Sequence, residues 1–327
     1  MRHAMTDRVL DIDTLRRFEG GLNPLEPSKS AMPARIIGYG EISTIFEIGE
    51  PSLQGLAFKR LPVFQSTAEM DAYEDLFREY HRVLEEIGIT VPWHATVRFT
   101  PETGNSVIYC VQEKMAEGSI CHQLLHTLDD ASILRLFVAV LQEMKKVWDF
   151  NASHEGIEVA CDAQLSNWAL LSPAPARSLD GDTLSLAYID TSTPFIRLEG
   201  REQLNTDLFL RSAPSFLVWL IKLFFLEDVV SRYYDHHLVV SDIIANLYKE
   251  GRPDLVEPFI EEANRFFAEQ VPHLNVRPIT IKKVKSYYRE DAFIWRLYLV
   301  LRKLDRFLHL RVLRKPYPYI LPGNIRR

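Results

Sequence analysis

The stretch ARIIGYGEISTIFEIGEPSLQGLAFKRL, Ala34 to Leu61, contains three short runs of strand-forming residues separated by turns. ARIIGYG and STIFEIG flank a glycine-containing turn, and GLAFKRL follows the second turn, GEPSLQG. A helical pattern, STAEMDAYEDLFREYHRVLEEIG, comes next, with Ser66 or Thr67 as its start and Gly88 as its end. Two more strand patterns, HATVRFT and NSVIYCVQEKM, are separated by the turn PETGN. The order strand-strand-strand-helix-strand-strand predicts an antiparallel sheet with one inserted helix.

The character of the sequence changes after Gly118. CHQLLHTL and ILRLFVAVLQEMKKVWDF have helical periodicity, LSLAYID is typical of a strand, and most of the chain beyond Leu204 is helical in pattern. We therefore predict an α+β chain with a small antiparallel-sheet lobe and a larger, mainly helical lobe. The expected boundaries are an irregular extension over residues 1–30, an N-lobe over 31–117 and a C-lobe over 118–327.

Composition indicates a folded globular protein, with 47% apolar and 25% charged residues over 327 positions. The most apolar run, Ala213 to Val230, is interrupted by Lys222 and falls short of the about 20 apolar residues that span a bilayer. It predicts a buried core helix. Three cysteines without CxxC spacing and a polar start to the chain favour a reducing, cytoplasmic location.

Charge is distributed unevenly. Residues 277–327 carry 14 Lys and Arg against 3 Asp and Glu, whereas the rest of the chain carries 24 against 41. The acidic body argues against general nucleic-acid binding. The basic end includes a helical pattern over residues 291–315, and its apolar stripe is Ile294, Leu297, Leu301, Leu304 and Leu308. We predict a C-lobe helix with a solvated basic face formed by Arg302, Lys303 and Arg306; contact with an anionic membrane or a protein partner is the less favoured alternative.

Candidate chemistry begins in the turn between the first two strands. GYGEIST places Gly38, Gly40 and Ser43 where backbone N–H groups can approach a phosphate closely. No GK[ST] follows, so the turn is not a Walker A loop. On the next long strand, period-2 alternation puts Ala57 and Lys59 on one face, which suits a cleft with a ligand over the small residue.

Five further acidic or amide residues are candidates. Glu79 lies 20 residues after Lys59 on the predicted helix, where a carboxylate can hold a phosphate-binding lysine, and Glu74 is the competing residue. Asp162 and Asn167 in CDAQLSN could equally cap a turn. Asp190 ends the strand LAYID, a usual place for a metal-binding carboxylate.

In this order the motifs resemble the protein-kinase-like fold, in the branch of aminoglycoside- and choline-kinase-like phosphotransferases. GYGEIS is similar to the phosphate loop, AFK to the lysine strand, REYHRVLEEIGITVP to the helix and its exit, VQEKMAEG to the hinge, CDAQLSNWAL to the catalytic loop and YIDTS to the metal-binding segment. The resemblance implies ATP and Mg²⁺ as cofactors. It implies that Asp162 is the base, that Lys59 is held by Glu79, that Asn167 and Asp190 bind the metal, and that Gly38, Gly40, Ser43, Ala57, Glu113 and Met115 line the nucleotide.

The resemblance has departures. Ala160 stands where the branch usually has His, and Thr191-Ser192 follow Asp190 where a Gly is usual. An apparent surface insertion, SPAPARSLDGD, lengthens the segment between Asn167 and Asp190. The resemblance implies transfer of the γ-phosphoryl group to a hydroxyl of a small molecule, with a protein as the alternative acceptor. The acidic surplus of the body could attract a cationic acceptor such as an amine-bearing sugar or a choline-like alcohol, although solubility explains the surplus as well. Two alternatives stay open: a pseudokinase that binds nucleotide or acts as a scaffold, and transfer of AMP on the same fold.

Histidines suggest a less favoured metal site. His122 and His126 are four residues apart, with Cys121 beside them, and His236-His237 form a second pair. No HExxH carboxylate accompanies them, so core or surface histidines are the better interpretation.

Overall fold

The computed structural model describes residues 9–40, 43–100, 105–171, 178–179, 184–211, 230–314, 317 and 319–321. Its strands are β1 (Ala34–Tyr39), β2 (Thr44–Ile48), β3 (Leu56–Phe64), β4 (His94–Phe99), β5 (Ser106–Glu113), β6 (Ile157–Ala160), β7 (Trp168–Leu170), β8 (Leu186–Tyr188), β9 (Phe195–Leu198) and β10 (Arg201–Glu202). Its helices are α1 (Ile12–Gly21), α2 (Thr67–Ile87), α3 (Cys121–Leu124), α4 (Asp130–Ser153), α5 (Asp207–Leu210), α6 (His236–Lys249), α7 (Val256–Gln270) and α8 (Ile281–Phe307).

The N-terminal part is built on one antiparallel sheet with the strand order β1-β2-β3-β5-β4. Helix α2 connects β3 to β4, as the sequence predicts. The Ser66 hydroxyl caps its start by accepting a hydrogen bond from the Glu69 N–H at 3.2 Å. Gly88 ends it with a left-handed backbone (φ 85°), a conformation that favours glycine. The predicted order and the predicted ends of this helix are therefore confirmed.

The segment before the sheet contains a helix, so the prediction of an irregular extension over residues 1–30 is wrong. Helix α1 buries Leu15 and Phe18 completely against the outer face of the sheet. Its Glu19 binds the buried Arg60 guanidinium at 2.7 Å and accepts a hydrogen bond from Tyr109. The sequence after residue 20 is rich in Gly and Pro, and this composition led to the prediction of irregular structure for the whole segment. Helix α1 is stabilised because its apolar side packs against the sheet.

The C-terminal part is mainly helical. Helices α4, α6 and α7 surround a large apolar core, in which Phe137 of α4 stacks on Phe259 of α7 with ring centroids 4.2 Å apart. Two small antiparallel sheets, β7-β8 and β10-β9-β6, lie in this part as well. The predicted α+β class, an antiparallel-sheet region followed by a larger helical part, is confirmed. The boundary at residues 117 and 118 stays a prediction.

Some predicted features lie outside the described residues. They are the apolar run 213–229, the hairpin tip 101–104 and most of the insertion at 172–182.

Candidate active site

Lys59 and Asp190 meet in an ion pair between the two parts of the chain. The Lys59 Nζ lies 2.6 Å from Asp190 Oδ1, across 131 positions of sequence. Lys59 projects from the middle of β3, opposite Ile45 of β2 and Cys110 of β5. Asp190 follows β8 by two residues. Both side chains are mostly but not fully buried, with 16% and 29% of their side-chain surface exposed, so a ligand can still reach them.

The Asp190 carboxylate is held in its ionised form. Burial alone would raise its pKa, but Lys59 and the hydroxyl of Ser192 together hold the pKa below its usual value. The Ser192 Oγ donates to Asp190 Oδ1 at 3.0 Å. Ser192 therefore occupies a position where the resembled branch usually has a glycine, and here it acts as a hydrogen-bond donor to the carboxylate.

A short hairpin brings Asn167 next to Asp190. Asn167 immediately precedes β7, and the antiparallel register pairs Trp168 with Tyr188 of β8. The Ile189 N–H donates to the Asn167 carbonyl at 2.9 Å. The register of β7 and β8 therefore sets Asn167 and Asp190 at the same end of the two strands.

Asp162 lies on the loop between β6 and this hairpin. Its Oδ1 accepts the Gln164 N–H at 3.2 Å, its carbonyl accepts Asn167 Nδ2 at 3.1 Å, and its N–H donates to Tyr188 Oη at 3.1 Å. The Asp therefore does cap a turn. Burial, with the nearby carboxylates of Asp242 and Asp190, also raises the pKa of Asp162 to about 7. A turn cap needs no such environment, whereas a general base operating near neutral pH does.

Asp242 is a residue of this site that the sequence did not indicate. It is buried on α6, with 6% of its surface exposed, and its Oδ2 accepts Gln164 Nε2 at 2.7 Å. Burial raises the pKa of Asp242, and Arg232 and Lys249 only partly offset this. Asp242 thus anchors the Asp162 loop through Gln164 and contributes negative charge beside it. No local pattern on α6 distinguishes it from a surface aspartate.

Two tyrosines of α2 hold the loops on either side of the site. Tyr73 Oη donates to the Ser192 carbonyl, and Tyr80 Oη donates to the Ala160 carbonyl, both at 2.7 Å. The tyrosines are seven residues apart, so they lie on the same face of the helix. Ala160 lacks the side chain usual in the resembled branch, and the Tyr80 hydroxyl, with that of Tyr188, supplies hydrogen bonds to this loop instead.

The expected pair between Glu79 and Lys59 is not formed, and this prediction requires correction. Glu79 lies on the exposed face of α2, where its Oε1 accepts Arg82 Nη2 at 2.8 Å. Glu74, the competing residue, lies 3.7 Å from Arg98. Among the residues that the structure describes, Asp190 is the carboxylate within ion-pair distance of Lys59. The face of α2 that packs inwards carries Tyr73 and Tyr80, so these tyrosines face the site and Glu79 does not.

The glycine turn lies over the lysine. The Gly40 N–H donates to the Ser43 carbonyl at 3.1 Å. A Cβ at position 40 would lie 2.4 Å from Ser43 Oγ and 3.6 Å from Lys59 Cε, so a larger residue here would require the Ser43 side chain to rotate. At Gly38 an added Cβ would meet Ile45 at 3.0 Å. Residues 41–42 lie outside the described part of this turn.

The remaining predicted nucleotide contacts lie at the adjoining ends of β3 and β5. Ala57 is buried opposite Gln112. Glu113 is exposed at the end of β5, where its N–H donates to the Trp93 carbonyl at 2.8 Å. Met115 follows, half-buried, in the extended connection to the helical part. The contact of these positions with a nucleotide stays a prediction.

The donor set near Asp190 fits a small divalent cation. Asp190 offers an ionised carboxylate, and Asn167 uses its amide nitrogen for the loop, which leaves the amide oxygen as an acceptor. Mg²⁺ is commonly held by one or two such protein oxygens together with substrate phosphates and water. Within the described ranges, no group of three or more His, Cys, Asp or Glu side chains could hold a metal ion, and this includes the histidines of the less favoured site.

The solved structures that this chain resembles include two with a weak structural likeness. A solved structure of WaaP in complex with acyl carrier protein is 16% identical, with 79% of this chain and 98% of that chain covered and a TM-score of 0.32. A structure of the amicoumacin kinase hAmiN in complex with AMP-PNP, Ca²⁺ and Ami is 12% identical, with 57% and 68% covered and a TM-score of 0.26. No curated protein matches the chain in sequence. Likenesses at this level identify no substrate.

A family model gives the broader match, because it covers most of the chain, from the start of the sheet region to the end of α8. The chain belongs to the family of unknown function DUF6206, whose model matches residues 29–306.

Proposed function

We propose that the protein is an ATP- and Mg²⁺-dependent phosphotransferase that moves the γ-phosphoryl group to a hydroxyl of a small molecule. The observation that carries the proposal is the convergence of Lys59, Asp162, Asn167 and Asp190 at one place. They come from a strand, a loop and the two sides of a hairpin, and they combine a fixed cation, an ionised carboxylate and a carboxylate of raised pKa. Phosphoryl transfer requires positioning and charge neutralisation more than covalent chemistry.

The nucleotide side of the site is formed by the glycine turn and Lys59. Backbone N–H groups of the Gly38–Ser43 turn would cover the phosphates, and Lys59 would exchange part of its contact with Asp190 for phosphate oxygens. Asn167 and Asp190 would hold Mg²⁺, which when bound neutralises charge on the phosphates. Ala57, Glu113 and Met115 would line the base.

Asp162 would act on the acceptor. Its carboxylate accepts the proton of the acceptor hydroxyl while the hydroxyl oxygen forms a bond to the γ-phosphorus. The bond from that phosphorus to the bridging oxygen of ADP breaks, and the proton later leaves Asp162 for solvent. A pKa of about 7 lets the group both take up and release a proton near neutral pH.

Net charge supports a cationic acceptor. Residues 1–276 carry 24 Lys and Arg against 41 Asp and Glu, and the partly compensated Asp242 lies beside Asp162. An acidic body raises the local concentration of cationic ligands. An alcohol or sugar that bears an amine fits this charge better than an anionic acceptor.

Nucleotide binding is the first test. ATP with Mg²⁺ should raise the unfolding temperature of the protein, since a ligand at 100 times its Kd adds about 2.7 kcal/mol. Asp190→Asn should remove most of this shift, whereas Asp75→Asn, an exposed aspartate paired with Arg78 on α2, should retain it. No shift at millimolar ATP in the unmodified protein would refute the proposal.

Labelled ATP separates the proposed activity from its alternatives. The protein is incubated with Mg²⁺, a panel of amine-bearing sugars and alcohols, and ATP labelled at either the γ or the α phosphorus. Transfer of γ label, lost in Asp162→Asn although that variant still binds ATP, supports the proposal. Transfer of α label indicates AMP transfer, and nucleotide binding without transfer of either label to this panel or to added protein indicates a pseudokinase.

A further inference from the structure

Helix α8 buries a few of its charged side chains against the protein, although most of its Lys and Arg side chains are exposed. Arg302 and Asp305 are buried, with 3% and 8% of their surface exposed, and Asp291 pairs with Lys249 of α6 at 2.7 Å. The sequence had placed Arg302 on a solvated basic face, and this prediction is wrong. The guanidinium instead lies 5.0 Å from the ring centroid of Tyr319 and 5.5 Å from that of Tyr298. Polar and aromatic contacts therefore fix the inner face of this helix.

The outer face of α8 is apolar. Five large side chains point to solvent there at intervals of four and three residues, with exposures of 64%, 38%, 62%, 41% and 56%: Phe293, Leu297, Val300, Leu304 and Phe307. We call these five residues the outer stripe. Such spacing places them on one side of the helix. A surface helix of a water-exposed protein has the opposite orientation, so the outer stripe indicates a surface that a partner covers.

Basic residues border the outer stripe. Arg289, Arg296 and Lys303 are exposed beside it along the helix. Of the acidic residues of α8, Asp291 and Asp305 face inwards and Glu290 lies on the surface. An exposed apolar stripe with a cationic border is the pattern of a helix that lies in the interface of an anionic membrane.

We propose that α8 docks the protein on an anionic lipid surface, with the outer stripe in the headgroup region and the bordering Arg and Lys on lipid phosphates. Helix α8 would lie along the surface and not cross it. None of the helices in the described ranges is long and apolar enough to span a membrane. This inference concerns a surface distinct from the Lys59–Asp190 site and stands whether or not that site transfers phosphate.

A second copy of the chain is a poorer partner for this face. In a two-fold contact each subunit presents the same patch, so the outer stripe of one copy would meet that of the other. In the antiparallel arrangement that places this side of both helices together, Arg289, Arg296 and Lys303 would face the same basic border across the contact, and like charges brought together oppose association. An anionic surface gives these cations partners instead.

Vesicle flotation tests the inference. The full chain is mixed with vesicles of phosphatidylcholine alone or with added phosphatidylglycerol, at about 0.1 M salt, where charges are screened beyond about 10 Å. We expect binding to the anionic vesicles that falls as salt is raised. Removing two charges in Arg296→Gln/Lys303→Gln should lower the partition coefficient about 25-fold, since each basic residue near such a surface contributes about fivefold.

The apolar contribution is tested separately. Leu297→Gln/Leu304→Gln keeps residues of good helix propensity and should lower binding at least about tenfold by removing buried apolar area. The control is Leu25→Gln/Leu198→Gln, which changes two leucines of similar exposure, 46% and 45%, away from α8. It should bind like the unmodified protein. Circular dichroism and unfolding temperature establish that all variants are folded.

Three results would overturn the inference. The first is no flotation with anionic vesicles, and the second is equal flotation of the α8 leucine variant and its control. The third is a concentration-dependent dimer, measured by light scattering, that the α8 leucine changes abolish while vesicles do not bind. That result would assign the outer stripe to contact between two copies.

Discussion

Asp162→Asn should make the protein more stable at neutral and alkaline pH while abolishing transfer. The substitution keeps the size of the side chain and the Oδ1 acceptor for the Gln164 N–H but removes the charge. In the native protein that charge is unfavourable, because burial and the carboxylates of Asp242 and Asp190 oppose it. A turn-capping aspartate gives the contrary expectation, since its replacement by asparagine is neutral or destabilising.

The magnitude follows from the pKa. Asp162 has a pKa raised from 3.8 to about 7 in the native state, and each unit corresponds to about 1.36 kcal/mol. The full difference of roughly three units gives an upper bound of about 4 kcal/mol; the partial exposure of the side chain reduces this, and we expect about 2–4 kcal/mol.

The pH dependence has a defined sign. Because the native pKa is raised, the native state keeps a proton that the unfolded chain releases between about pH 4 and pH 7, so stability falls as pH rises through that window. Asparagine has no such proton. The stability advantage of Asp162→Asn should therefore be near zero at about pH 4 and complete above about pH 7.

Urea unfolding of both proteins at about pH 4.5 and pH 8 measures this difference. Asp75→Asn is the matched control: its exposed carboxylate pairs with Arg78 one turn along α2, and the substitution should produce no comparable pH-dependent gain. An Asp162→Asn variant that is equally or less stable than the unmodified protein at about pH 8 would refute the reasoning. Asp162 would then be a structural cap.

Two further predictions concern α2. Glu79→Gln should leave the ATP-dependent thermal shift intact and change the free energy of unfolding by less than about 1 kcal/mol, since its partner is the exposed Arg82; loss of the shift would restore Glu79 as the partner of Lys59. Tyr80→Phe should cost about 1–3 kcal/mol in urea unfolding, because it leaves the Ala160 carbonyl buried without the hydroxyl that donates to it. A cost no greater than that of Tyr288→Phe, on a half-buried tyrosine of α8, would contradict the anchoring role of Tyr80.

The order of the strands and the helix in the sheet region could be predicted because the sequence patterns that determine it are local. Alternating strand patterns, the cap at Ser66 and the left-handed Gly88 each act within a few residues, and the structure agrees with them. Helix α1 was missed because it is short and is followed by a Gly- and Pro-rich sequence; it is stabilised by burial of Leu15 and Phe18 on the sheet. That burial depends on strands that come later in the chain.

The site could be predicted only in part, for a similar reason. The residue types and their order indicated Lys59, Asp162, Asn167 and Asp190, and the structure brings all four into one region. The partner of the lysine was assigned to the wrong residue. Spacing along a helix shows which residues share a face, but it does not show which face turns inwards. In α2 the inward face carries Tyr73 and Tyr80.

The sequence by itself determined the α+β class, the order of strands around α2 and the charge asymmetry, and it indicated four of the residues that meet at the candidate site. These properties depend on periodicity, turn chemistry and composition, which act over short distances. Tertiary structure alone decided that Lys59 pairs with Asp190, that Asp242 lies beside Asp162 and that α8 turns its apolar side outwards. Each depends on contacts between segments distant in sequence, and the pKa of a carboxylate or the orientation of a helix is set by the neighbours that folding brings to it.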